Sequence, residues 1–273
     1  MPESIGIGIT TRNRPDILSC SLAHFNHFGT KNAKYVVVDD NSNLNKSSIP
    51  VIETYKHDLD MIYIESSKRL GIAGAKNECL RQLSDCDHVF LFDDDGWPRA
   101  DGWAERWIEI SKANDVHHSM FIYDEQRLME IFFVAETLGE GDMAMEAWSN
   151  SLGLALHFTR HCLDTIGGFD EWRSRNVYGF EHAQVSMRAA MAGMTKGHRF
   201  LAPKIIGDLI YSMDVHHSFY RQPIPLTGKF LQGFRPSVTD FEKSKAFDNS
   251  SMMIDPPIYI PLDSKPPVYK PIV

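Results

Sequence analysis

Over the first hundred residues, short apolar runs alternate with longer stretches whose apolar residues recur at helical spacing. The runs are Ile5–Thr10, Tyr35–Val38, Met61–Ile64 and Val89–Phe92. Short, continuous apolar runs predict strands buried on both faces. Between them, Pro15–Phe28 carries Ile17, Leu18, Leu22 and Phe25 on one face, with Pro15 in the first turn and Gly29 as the stop. A short helix is predicted over Pro50–His57. Longer ones follow over Gly71–Leu83, with Ala75, Cys79, Leu80 and Leu83 inward, and over Asp101–Ala113, with Trp103, Trp107 and Ile110 inward. Strands alternating with helices predict an α/β fold built on a mostly parallel sheet with right-handed crossovers.

Beyond residue 115 the alternation breaks. Ser119–Tyr123, Met129–Val134 and Leu152–Phe158 are strand-like, Thr159–Ile166 and Glu181–Met194 helical, and Arg199–Ile206 and Leu209–Met213 extended. His117-His118 is predicted as a strand-entry turn. Seven of the fourteen prolines lie between Pro236 and Val273, which bars regular helix there. The predicted organisation is a first half at 1–115, a smaller mixed half of the same domain at 116–233, and an extended Pro-rich tail at 234–273. That tail would run along the body or onto a neighbouring subunit, giving a homo-oligomer.

Two of the buried runs end in adjacent carboxylates, Val38-Asp39-Asp40 and Phe92-Asp93-Asp94-Asp95. In a parallel sheet both open on the carboxyl edge, where open α/β folds bind ligands. Adjacent carboxylates repel unless a cation sits among them. Asp93 and Asp95 point the same way in extended backbone, and oxygen ligands favour Mg²⁺ or Mn²⁺. In Lys68–Asn77, Gly71 and Gly74 allow close backbone approach, while Arg69 and Lys76 offer cations to phosphate oxygens. The G-K-[ST] ending of a Walker loop is missing. A net charge of −8 gives no footprint of nucleic-acid binding. The cysteines Cys20, Cys79, Cys86 and Cys162 are scattered and read as reduced thiols, mostly buried. No apolar run has the length of a membrane span and no signal peptide is evident, so the cytoplasm is the expected compartment.

Ile9-Thr10-Thr11-Arg12-Asn13-Arg14, Val37-Val38-Asp39-Asp40-Asn41-Ser42, Gly71-Ile72-Ala73-Gly74-Ala75-Lys76-Asn77 and Phe92-Asp93-Asp94-Asp95 resemble, in order and spacing, glycosyltransferase family 2. The resemblance implies the Rossmann-like GT-A fold and a nucleotide-diphosphate sugar donor, a UDP-sugar first. It puts Thr10 and Arg12 near the nucleotide, and Asp40, with Asp39 beside it, as acceptor from the base. Arg69 and Lys76 would approach base or phosphates, Asp93 and Asp94 the donor, and Asp93 and Asp95 the metal.

In the second half, Tyr178-Gly179-Phe180-Glu181-His182 is similar to the aromatic-Gly-x-Glu-Asp element that opens the acceptor-side helix in many GT-A enzymes. The usual general base, Asp, is replaced by His182. An imidazole titrates near neutrality and can do the same work, with Glu181 orienting it or binding an acceptor hydroxyl. Inversion at the anomeric carbon is the implied outcome. By the same resemblance, His216 or His217 would be a third metal ligand. Trp97, Trp103 and Trp172 are candidates to stack on sugar rings, with the i, i+4 pair Trp103 and Trp107 read in preference as core. The acceptor, whether saccharide, protein, small molecule or modified base, is open. A nucleotidyltransferase, or a non-catalytic module of the same fold, stands as the alternative.

Overall fold

A computed structural model of the chain describes residues 3–30, 32–122, 133–149, 151, 153–171, 181–213 and 258–262. Met1–Ser212 and Ile258–Val273 form one compact unit, and Met213–Pro257 a second, of which only Met213 is described. The expected ligands His216 and His217, Trp172, the Tyr178–Phe180 turn and most of the Pro-rich tail lie outside the described residues.

The first unit is built on a six-stranded sheet in the order β3-β2-β1-β4-β9-β6. Its strands are β1 (Ile5–Thr11), β2 (Lys34–Asp39), β3 (Met61–Glu65), β4 (His88–Asp93), β6 (His118–Met120) and β9 (Ala155–Thr159). The first four run parallel, and β9 enters antiparallel between β4 and β6. The mostly parallel sheet is therefore present, and the two halves expected to meet near residue 115 share it. The helices on it are α1 (Pro15–His27), α2 (Ile49–Tyr55), α3 (Gly71–Gln82), α4 (Trp103–Ala113), α5 (Arg160–Ile166) and α6 (Glu181–Met191). A small antiparallel sheet, β10 (Phe200–Pro203), β8 (Met145–Trp148) and β7 (Val134–Leu138), joins α4 through Ile110, Val116, Met145, Ala147 and Leu201.

The alternation Ile5-Gly6-Ile7-Gly8-Ile9 gives β1 two unlike faces. Ile7 and Ile9 are fully buried. On the other face a Cβ on Gly8 would lie 2.7 Å from the Cβ of Cys79 on α3. The missing side chain lets α3 lie close over the sheet, which brings Lys76 to the end of β4. Phe25, Phe90, Phe92 and Trp103 interlock edge-to-face, with ring centroids 4.9–5.5 Å apart for Phe25–Phe92, Phe90–Trp103 and Phe92–Trp103. Trp103 and Trp107 are thus core residues, as their i, i+4 spacing predicts.

Three features depart from the sequence pattern. Gly96–Pro98, where the Gly and Pro after the β4 carboxylates argue for a turn, is a short strand, β5, paired antiparallel with β11 (Ile210–Ser212). Pro98 is tolerated in this two-stranded ribbon, where no central ladder needs its N–H. Met145–Trp148 was not anticipated as a strand, because Met, Ala and Glu favour helix; pairing with β7 and β10 overrides that preference. His118 opens β6 and is buried, so His117-His118 is not simply a turn.

His118 belongs to a buried imidazole group. Its Nδ1 donates to the His157 carbonyl (2.9 Å), which leaves Nε2 to accept from Ser186 Oγ (2.7 Å). His88 Nδ1 and His157 Nε2 share a proton at 3.0 Å. Burial drives the His118 pKa down to about 4 and that of His157 well below its ordinary value. The unfolded chain binds these protons near pH 6.5, while the native state refuses them. Stability is therefore full above pH 6.5 and is lost as pH falls toward 4, by about 3 kcal/mol from His118 alone. Melting curves between pH 7.5 and 4.5 should show a falling Tm, with a shallower fall in His118→Gln.

Candidate active site

Because β1, β2 and β4 are parallel, their carboxyl ends present Thr10-Thr11, Asp39-Asp40 and Asp93-Asp94-Asp95 on one edge. The turn after β1 is stitched to the turn after β2: Asn13 N donates to Ser42 Oγ, and Asn43 N to Asn13 Oδ1, each at 2.7 Å. It is bonded to the end of β4 as well. Thr10 Oγ1 donates to Asp93 Oδ1 (3.3 Å) and Thr11 Oγ1 to Asp94 Oδ2 (2.6 Å). Arg14 bridges Asp94 and Asp95, with its Nη1 2.9 Å from Asp95 Oδ2.

The two carboxylates of β2 hold the frame. Asp39 is fully buried and accepts from Ser42 N (2.8 Å) and Ser48 Oγ (2.5 Å). Asp40 accepts from the amides of Leu70 and, at 3.0 Å, Gly71, so it caps the start of α3. Asp40→Ala should therefore cost about 1 kcal/mol of stability through the lost cap, alongside any rise in donor KM. Chemical denaturation followed by donor titration separates the two effects.

Lys76 is placed differently from a residue facing phosphate. Its side chain is wholly buried, with Nζ 3.2 Å from Asp93 Oδ1 and 3.1 Å from Glu181 Oε1. Burial alone would lower its pKa, but the two carboxylates outweigh that and raise it, so it stays an ammonium. Glu181 is the mirror case. Burial would raise its carboxyl, yet the Lys76 ammonium, then His182, hold it well below the usual carboxylate range. Glu181 Oε2 is buried and has no hydrogen-bond partner among the described residues. His182 Nδ1 stands 3.8 Å from Glu181 Oε1, longer than an ordinary hydrogen bond. The ring packs on Gly153, whose φ is +73° and where a Cβ would lie 2.3 Å from the His182 Cγ.

Burial raises the Asp93 carboxyl above its ordinary value, with Lys76 opposing, and pushes Asp94 up to about 7 against Arg14. Among the described residues no three His, Cys, Asp or Glu side chains converge as a preformed metal site.

Residues 7–132 match the family model described as glycosyl transferase family 2. The matched stretch is 126 of the 273 residues, a little under half of the chain. Among solved structures, the mannosyltransferase PcManGT from Pyrobaculum calidifontis, in complex with GDP-Man and Mn²⁺, is 18% identical with a TM-score of 0.56. The match covers 75% of this chain and 56% of that one. TarS 1-349 from S. aureus, in complex with UDP, is 16% identical with a TM-score of 0.51, covering 69% of this chain and 55% of that one. At these identities the likeness is one of fold, and the fold is GT-A. The chain spans little more than half the length of these two structures. No curated protein matches the sequence.

The structure gathers Thr10, Asp93, Asp94, Asp95, Lys76, Glu181 and His182 into one region, with Asp39 and Asp40 behind it as framework. Arg12 and Arg69 make no described side-chain hydrogen bond to the group. Trp97 is not free to stack on a sugar: its ring lies between His24 and Tyr211, at centroid distances of 5.0 and 5.1 Å. Sequence reasoning missed Arg14. The available signal was a basic turn after β1 facing an acidic turn after the neighbouring parallel strand. No described helix is long and apolar enough to cross a membrane.

Proposed function

We propose that this protein transfers a sugar from a nucleotide-diphosphate sugar, a UDP-sugar first, to an acceptor hydroxyl, with a divalent ion and with inversion. The observation that carries the reading is the Asp93–Lys76–Glu181 bridge. It joins the acidic end of β4 to the helix start that bears a carboxylate and an imidazole side by side.

The site fits a hard divalent cation. Among the described residues, Asp93, Asp94, Asp95 and Glu181 form ion pairs with Arg14 and Lys76. Burial first, then the neighbouring carboxylates, raise Asp93 and Asp94 above the ordinary range, against Lys76 and Arg14. Mg²⁺ and Mn²⁺ commonly take one or two carboxylates and complete their shell with phosphate oxygens and water, so three converging side chains are not required. Asp93 and Asp95 are the proposed ligands. When bound, the ion would neutralise the charge that develops on the leaving diphosphate.

The chain's own residues do the rest. Thr10 and Arg12 would flank the nucleotide, and Asp40, whose oxygens also cap α3, would accept from the base. Glu181 offers its open Oε2 to the acceptor hydroxyl, and His182 takes that hydroxyl's proton at a ring nitrogen as it attacks the anomeric carbon. The partners are thus a sugar nucleotide and a hydroxyl-bearing acceptor. A thermal-shift series of UDP- and GDP-sugars with Mn²⁺ tests the reading, because ligands of the native state raise its apparent stability. A Tm rise that needs both sugar nucleotide and metal supports it. No rise with any sugar nucleotide contradicts it.

A further inference from the structure

Lys76 has one buried ammonium and two anionic partners from distant parts of the chain, Asp93 at the end of β4 and Glu181 at the start of α6. The two carboxylate oxygens therefore lie within the sum of 3.2 and 3.1 Å of each other, with a cation between them. Its neighbours on α3 turn the same way. Asn77 Nδ2 donates to the Phe169 carbonyl and to Glu171 Oε1, both at 3.0 Å, and Asn77 Oδ1 accepts from Phe169 N at 2.7 Å. One turn on, Arg81 donates to the Leu262 carbonyl at 2.5 Å and lies 3.8 Å from Glu171. Lys76, Asn77 and Arg81 thus fasten α3 to the second half of the chain rather than presenting cations to an open cleft.

We propose that Lys76 is a positioning residue for the transfer step: it fixes Glu181 beside the acidic end of β4, with Oε1 committed and Oε2, which has no partner among the described residues, left for the acceptor. This rests on the glycosyltransferase reading above. The ammonium does not bind the donor phosphates. It acts through Glu181, and a displacement of that carboxylate by about 1 Å can cost about 100-fold in rate. A buried ion pair broken on one side leaves an uncompensated charge, whereas removing both partners leaves a tolerable neutral site.

The test is a double-mutant cycle in the full chain with Lys76→Met, Glu181→Gln and both together, read three ways. In sugar transfer, Lys76→Met should lower kcat about 100-fold with KM for the donor near normal. The double variant should be no slower than the slower single variant, because the two act as one unit. In calorimetric titration with UDP and with GDP, each with Mn²⁺, the Kd for whichever nucleotide the wild type binds should stay within about twofold in Lys76→Met. In thermal melting, Lys76→Met should lose about 10 °C and the double variant should recover part of it. Weakened nucleotide binding by about tenfold with kcat retained would make Lys76 a phosphate ligand and overturn the proposal. Additive losses in rate, or additive shifts in Tm, would overturn it too. If the wild type transfers no sugar from any donor tried, the glycosyltransferase reading fails. The melting cycle then still decides whether Lys76 and Glu181 are coupled.

Discussion

His182→Ala should lower kcat by about 10²–10⁴-fold while KM for the donor stays near normal. Direct displacement at an anomeric carbon needs a group to take the acceptor hydroxyl's proton. His182 follows directly on Glu181 at the opening of α6, buried, with its ring seated against Gly153. Glu181 cannot replace it as the base, since Lys76 and His182 keep its carboxyl strongly acidic. In the proposed mechanism it holds the acceptor, so Glu181→Gln should also cut kcat severely with donor binding retained. Steady-state kinetics with acceptor saturating decide this. Normal turnover in His182→Ala would move the base elsewhere, and the inverting mechanism would fall with it.

Asp95→Ala should abolish transfer and metal-dependent nucleotide binding while the fold is kept. Asp95 is buried at the strand end, and its bond to Arg14 is shared with Asp94. Deleting Asp95 therefore leaves the guanidinium still paired with Asp94, and the β1–β4 turn still bonded through Thr10 and Thr11. What the proposed metal site loses is one donor oxygen. Circular dichroism checks the fold, and titration of UDP with and without Mn²⁺ checks the binding. Normal turnover with divalent ions chelated would overturn the metal assignment.

The mostly parallel sheet was legible because Val36–Val38 and Val89–Phe92 are buried on both faces and so appear as unbroken apolar runs. The acidic edge was legible for the same reason, since an apolar run that stops at carboxylates marks a strand's carboxyl end. The likeness to glycosyl transferase family 2, which the family model finds over residues 7–132, was legible through four motifs of the first hundred residues. Other features depend on contacts between distant positions. Lys76 and Glu181 are 105 residues apart, and only the close seating of α3 on Gly8 explains why a lysine predicted to meet phosphate is buried between two carboxylates. Trp97 was indistinguishable from a sugar platform until His24 and Tyr211 were seen to cover it. β5 and β8 exist by virtue of partners supplied much later in the chain, and their own residues argue for turn and helix.

The central claim is that the acidic end of β4 and the Glu181-His182 pair form one site for sugar transfer. Incubating the protein with Mn²⁺ and isotope-labelled UDP- and GDP-sugars, with and without hydroxyl acceptors, tests it most directly, with the product's anomeric configuration read by NMR. Metal-dependent appearance of label in an acceptor glycoside of inverted configuration, lost in both Asp95→Ala and His182→Ala, is the predicted result. Saturable sugar-nucleotide binding with neither transfer nor hydrolysis, or a product of retained configuration, would contradict it.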